Sequence, residues 1–118
     1  MARLTLLTAA FALFAVASGA LSACGLAPQG EPARSESAQR GRKVFMESSK
    51  PKCSLCHQLM DAGSPKGLGP DLDMLRPDAA KTIKSVTQGV GIMPAQKGIL
   101  TPQEIEDVAA YLEEVAGR

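Results

Sequence analysis

The sequence predicts a small all-α domain with three main helices. Three observations lead to it. No segment of the chain alternates apolar and polar residues as a strand would. Three segments instead carry apolar residues at the i, i+3, i+4 spacing of a helix buried along one face. Between the first two of these lies Cys53-Ser54-Leu55-Cys56-His57, a run at which haem is attached covalently. The two thiols add across the porphyrin vinyl groups as thioethers, and the adjacent imidazole is delivered to one face of the iron. The expected architecture is therefore three helices around one covalently attached haem c.

The first helix is expected over residues 37–49, where Ala38, Gly41, Val44 and Phe45 share one face. Gly41 inside a helix costs about 1 kcal/mol relative to Ala, so it marks either a close approach by another helix or a tolerated cost. The middle helix, residues 78–88, directs Ala79, Ile83 and Val86 inward. The last helix has the clearest start: Thr101 and Glu104 form a capping box and Pro102 takes the first helical position. Its inner stripe is Ile105, Val108, Ala109, Leu112 and Val115, with Glu104, Glu106, Asp107, Glu113 and Glu114 on the solvated side.

The 118-residue chain begins like an exported protein. Arg3, an uncharged run over residues 4–20 and the small residues after it form an export signal over residues 1–23. Leu21-Ser22-Ala23-Cys24 resembles the lipobox of bacterial lipoproteins, in which the cysteine is lipidated and becomes the mature N-terminus. That assignment also accounts for the odd third cysteine. The alternative is an uncleaved anchor, since about 20 apolar residues just span a bilayer. Both place the domain at the periplasmic or other extracytoplasmic face of a bacterial membrane. Residues 24–36, rich in Ala, Pro and Glu, read as a flexible tether. Residues 37–118 form one small domain. Beyond the export signal its aromatics are Phe45 and Tyr111, with no Trp, so a bound macrocycle is needed to complete the core and the haem-free chain should fold poorly.

Two other uses of a Cys-x-x-Cys pair are weaker. Zinc wants four ligands, and once Cys24 is set aside the chain offers Cys53, Cys56 and its one histidine, His57. A thioredoxin-like redox pair follows a strand, and no strand pattern precedes Lys52. Rapid one-electron transfer calls for a second axial ligand to the iron, and the candidates are methionines. Met60 lies within a turn of His57, Met46 sits on the first helix at or beside its packing face, and spacing alone leaves Met74 open. Met93 is preferred: it follows Gly89-Val90-Gly91-Ile92, whose glycines allow tight backbone approach, and Pro94 restricts it to extended conformations.

In this order the motifs resemble those of class I cytochromes c, over nearly all of residues 37–118: Gly41 and Phe45, Cys53-x-x-Cys56-His57, Gly69-Pro70-Asp71-Leu72, Met93-Pro94 and Tyr111-Leu112. The resemblance implies a class I fold in which the first and last helices cross at Gly41, with Phe45 near Tyr111 and Leu112. It also implies that the Pro70 carbonyl accepts a hydrogen bond from the free ring nitrogen of His57. Such a contact fixes the imidazole and strengthens it as a donor. Arg76, Lys81 and Lys84 are the basic candidates for the haem propionates. The implied function is a one-electron carrier, not an enzyme, with His57 and Met93 on the iron and redox proteins as donor and acceptor. A permanent electron-transfer subunit of a dehydrogenase or oxidase complex shares this chemistry. A haem enzyme or gas sensor with an open sixth position fits less well, because no second histidine exists to act as a distal acid or base.

Net charge steers nothing: without Arg3 the acids and bases balance at twelve each. No nucleic-acid partner is expected, and the membrane is met through the lipid anchor. The charges are unevenly placed, with Lys50, Lys52, Lys66 and Lys97 near the haem motif and the methionine loop. They form either a basic docking rim or an ordinary solvated surface.

Overall fold

The structure, a computed structural model, describes residues 33–118. The export signal, Cys24 and residues 24–32 of the expected tether lie outside the described residues. The elements are α1 (Glu36–Lys43), continued by a π-helical segment (Val44–Ser48), then α2 (Cys53–Cys56), α3 (Leu72–Leu75), α4 (Ala79–Gln88) and α5 (Pro102–Val115). No strand forms among the described residues; isolated bridges pair Leu59 with Ser64 and Val90 with Met93. The three expected helices are present, and the two single-turn helices α2 and α3 are additions too short to show a period.

Each main helix is started by a side chain that accepts an otherwise unpaired backbone N–H. Ser35 Oγ accepts from the Ala38 N–H at 3.1 Å, so a residue of the stretch expected to be tether caps α1. Asp78 accepts from the Lys81 N–H at 2.7 Å at the start of α4. At α5 the expected capping box is complete, with Glu104 N–H donating to Thr101 Oγ1 at 3.2 Å and Thr101 N–H donating back to Glu104 Oε2 at 2.8 Å.

The core forms where α1 and its π segment cross α5. Ala38, Val44, Phe45, Ile105, Val108, Tyr111, Leu112 and Val115 are all buried there. The rings of Phe45 and Tyr111 meet edge to face, 6.0 Å apart at 62°, an arrangement worth about 0.5–1.5 kcal/mol beyond the area buried. The Tyr111 hydroxyl donates to Asp61, which also pairs with Arg34 and lies 3.8 Å from Arg42. Burial and the Asp61 carboxylate together push the Tyr111 phenol well above its ordinary pKa, so it stays a donor.

Two expectations are corrected. Asp107 is buried, at 2% exposure, rather than solvated. Gly41 lets α1 approach so closely that Asp107 lies beneath it, and Arg40 reaches over with Nε 2.7 Å from Oδ2 and Nη2 2.8 Å from Oδ1. Those hydrogen bonds outweigh burial and hold the Asp107 carboxyl below its usual range. In α4, Thr82 is buried in place of Ile83, which is 37% exposed. The helix is rotated so that Thr82 and Val86, one turn apart, face inward, and the Thr82 hydroxyl donates to the Asp78 carbonyl at 3.0 Å. A satisfied hydroxyl can be buried at little cost.

The crossing leaves no room at Gly41. A Cβ there would stand 2.7 Å from the Tyr111 Cβ and closer still to the backbone carbonyl of Asp107. Gly41→Ala gains about 1 kcal/mol of helix propensity, but the obstructing atoms are backbone and cannot rotate away. Overpacking of this kind typically costs about 1–3 kcal/mol. The substitution should therefore lower the melting temperature of the holoprotein. A melting temperature at or above wild type would show that the helices do not meet at this residue.

Candidate haem cleft

Cys53, Cys56 and His57 are set by the single turn of α2. The His57 N–H closes it on the Cys53 carbonyl at 2.9 Å. Ser49, at 1% exposure, accepts from the Cys53 N–H at 3.0 Å and lies 3.2 Å from its thiol. Burial raises the Cys53 pKa, against the opposing effect of Ser49. On the other side of the turn, the Ser64 hydroxyl donates to the His57 carbonyl at 2.9 Å.

The segment 67–70 closes over the imidazole. The Gly69 N–H donates to the Cys56 carbonyl at 2.8 Å. A Cβ on Gly69 would fall 2.6 Å from His57 Cε1, and one on Gly67 would fall 2.5 Å from the Cys56 carbonyl oxygen. Both positions therefore require glycine by space alone. Directly after them, the Pro70 carbonyl lies 3.0 Å from His57 Nδ1. A carbonyl can only accept, so Nδ1 carries the proton and the lone pair of the neutral ring resides on Nε2.

His57 opens into a cleft of about 370 Å³ whose wall includes Cys53, Cys56, Phe45, Leu72, Val86, Val108 and Leu112. The same wall is continued by Val90, Ile92, Met93 and Pro94. Of the four candidate methionines, Met93 alone lines the cleft. Met60 and Met74 are 75% and 84% exposed, and Met46 packs against the core without reaching it. Of the three basic residues weighed for the propionates, Lys81 lines the cleft; Arg76 and Lys84 do not. Arg76 ends α3 in a left-handed conformation, φ 45° and ψ 60°, with Nε near the Asp73 carbonyl. Lys50, Lys52, Lys66 and Lys97 are all exposed.

These residues fit a haem. Two thiols and an imidazole come from one short segment, a thioether comes from another, and the space they share is lined mainly by apolar side chains. Among the described residues no three of His, Cys, Asp or Glu cluster as a metal site would require. The pattern reading missed Ser49, Ser64 and Gln96, the last buried at 3% exposure on the cleft wall. Such polar residues have no periodic signal; only position sets them apart, Ser49 just before Cys53 and Gln96 just after Met93, and Ser64 has no such mark.

Comparison with known proteins agrees with this geometry. The family described as "Cytochrome C oxidase, cbb3-type, subunit III" matches residues 36–112. The crystal structure of the c-type cytochrome SorU from Sinorhizobium meliloti superposes with a TM-score of 0.67 at 49% identity, over 70% of this chain and 93% of that one. Cytochrome c-551 of Halorhodospira halochloris is 32% identical over 73 residues, 61% of this chain and 92% of the relative. The cbb3-type cytochrome c oxidase subunit FixP of a Bradyrhizobium species is 33% identical over 85 residues, but this chain spans only 28% of its length. The chain therefore belongs to the cytochrome c family, within the group described as cbb3-type oxidase subunit III, and its prosthetic group is covalently bound haem c.

Proposed function

We propose that the protein is a one-electron carrier in which Cys53 and Cys56 hold the haem and His57 and Met93 ligate the iron. The observation that carries this reading is the placement of His57 and Met93 on the wall of one apolar cleft. When bound, the haem iron supplies a one-electron couple. The chain's own residues set the terms. The Nδ1–H to Pro70 bond holds His57 in one orientation and frees Nε2 as the donor. Met93 offers a neutral, polarisable thioether, a ligand associated with higher haem potentials. Phe45, Val86, Val108 and Leu112 keep water from the buried side and so disfavour added charge there. A ligand set that stays the same in both oxidation states leaves little to reorganise as the electron moves.

Two features favour a second reading, that of an electron-transfer subunit in a larger oxidase or dehydrogenase assembly. They are the family description and the likeness to FixP. The site chemistry is the same; the permanence of the partner differs, and co-purification distinguishes the two. In either case the domain lies outside the cytoplasm, held to the membrane by a lipidated Cys24. The export-type segment and the lipobox-like residues 21–24 support this.

Met93→Ala should remove the sulfur-to-iron charge-transfer band of the ferric protein and lower the reduction potential. A spectrum and potential identical to wild type would show that another group holds the iron. Mass spectrometry of the mature N-terminus should find an acylated Cys24. An unmodified chain retaining Met1 would favour the uncleaved anchor.

A further inference from the structure

Of residues 89–100, only Gln96 and Leu100 are buried. This is the segment that carries Met93, and its local bonds are few: Val90 and Met93 exchange backbone hydrogen bonds at 3.1 and 2.9 Å, which shapes the turn but ties it to nothing else. Gln96 makes the attachment. Its Oε1 accepts from the Lys50 N–H at 3.0 Å and its Nε2 donates to the Lys50 carbonyl at 3.0 Å. Its own backbone N–H donates to the Val86 carbonyl at 2.8 Å, and its carbonyl accepts from Ile99 and Leu100, each at 2.9 Å. Lys50 in turn adjoins Ser49, which accepts from the Cys53 N–H. One buried side chain thus bridges the backbone three residues after Met93 to the backbone three residues before Cys53.

We infer that Gln96 is a positioning residue that clasps the Met93 loop to the haem-attachment loop and holds the thioether on the iron. This rests on the proposed ligation by Met93. Opening the loop requires both Lys50 bonds to break and the buried Gln96 amide to leave its place on the cleft wall, so the clasp opposes loss of the thioether from the iron. No change of charge is involved, and Gln96 itself does not touch the metal in this account.

The test uses the purified ferric holoprotein, with imidazole as a competing ligand whose binding requires Met93 to leave. Gln96→Leu keeps the size and removes both bonds; Gln96→Glu keeps an acceptor for the Lys50 N–H and loses the donor to its carbonyl. Imidazole should bind the Leu variant about tenfold faster or more, the scale expected when two neutral hydrogen bonds no longer hold the closed loop. The Glu variant should fall between. Val115→Ala, buried on α5 away from the cleft, supplies a variant destabilised elsewhere and should bind imidazole at the wild-type rate. Wild-type rates in both Gln96 variants, or equal acceleration in Val115→Ala, would overturn the clasp. Absence of the sulfur-to-iron band in the wild-type protein would instead overturn Met93 ligation. If the Leu variant does not fold, the Glu variant decides the matter by the same rate.

Discussion

The hydrophobic core of this protein is open on one side. Phe45, Leu72, Val86, Val108 and Leu112 belong to the buried cluster and also line the cleft. They close the core on one side, and among the described residues the cleft lies on their other. A domain this small buries too little apolar area to leave such a face bare. Covalent haem c resolves the imbalance, because a large apolar disc held by two side chains contributes contact area without the conformational entropy of further residues. The loops that carry His57 and Met93 are the lips of this opening, so their order follows from what lies between them.

The helix crossing supplies the rigid floor. Gly41 brings α1 against the backbone of Asp107, and this single close approach has two consequences. It sets Phe45, which lines the cleft, edge to face against Tyr111, and it buries Asp107, which Arg40 then neutralises with two hydrogen bonds. Removing Arg40 would leave the buried Asp107 carboxylate without its main partner, whereas Arg40, half exposed, would remain solvated without Asp107. The lips are held differently, by polar residues acting on backbone: Ser49 and Ser64 on the His57 side, Gln96 across to the Met93 side. Among the described residues no buried side-chain polar atom lacks a partner, which lets an apolar cleft be framed by so many hydroxyls and amides.

Much of this was legible in the amino-acid sequence. Apolar spacing found the inward faces of the first and last helices, the capping box located Thr101, and Gly41 stood out because a helix rarely tolerates glycine without cause. Asp107 and Ile83 were misplaced for a shared reason: periodicity fixes which residues share a face but not how far that face turns once a neighbouring helix packs. Asp107 needed knowledge of α1 lying over it, and Ile83 of a rotation that buries Thr82. In the site, covalent chemistry made the Cys53 to His57 run conspicuous, and the Gly/Pro setting made Met93 so. Gln96 was invisible, because a glutamine in a loop carries no pattern and its role exists only through contact with residue 50.

The polypeptide core is incomplete, and haem closes it. Thermal unfolding of a haem-free Cys53→Ala/Cys56→Ala chain, followed by circular dichroism beside the holoprotein, tests this most directly. The holoprotein should unfold in one cooperative transition and the haem-free chain in a broad, non-cooperative one from reduced helical content. A haem-free chain melting as sharply as the holoprotein, with the same helical content, would contradict it.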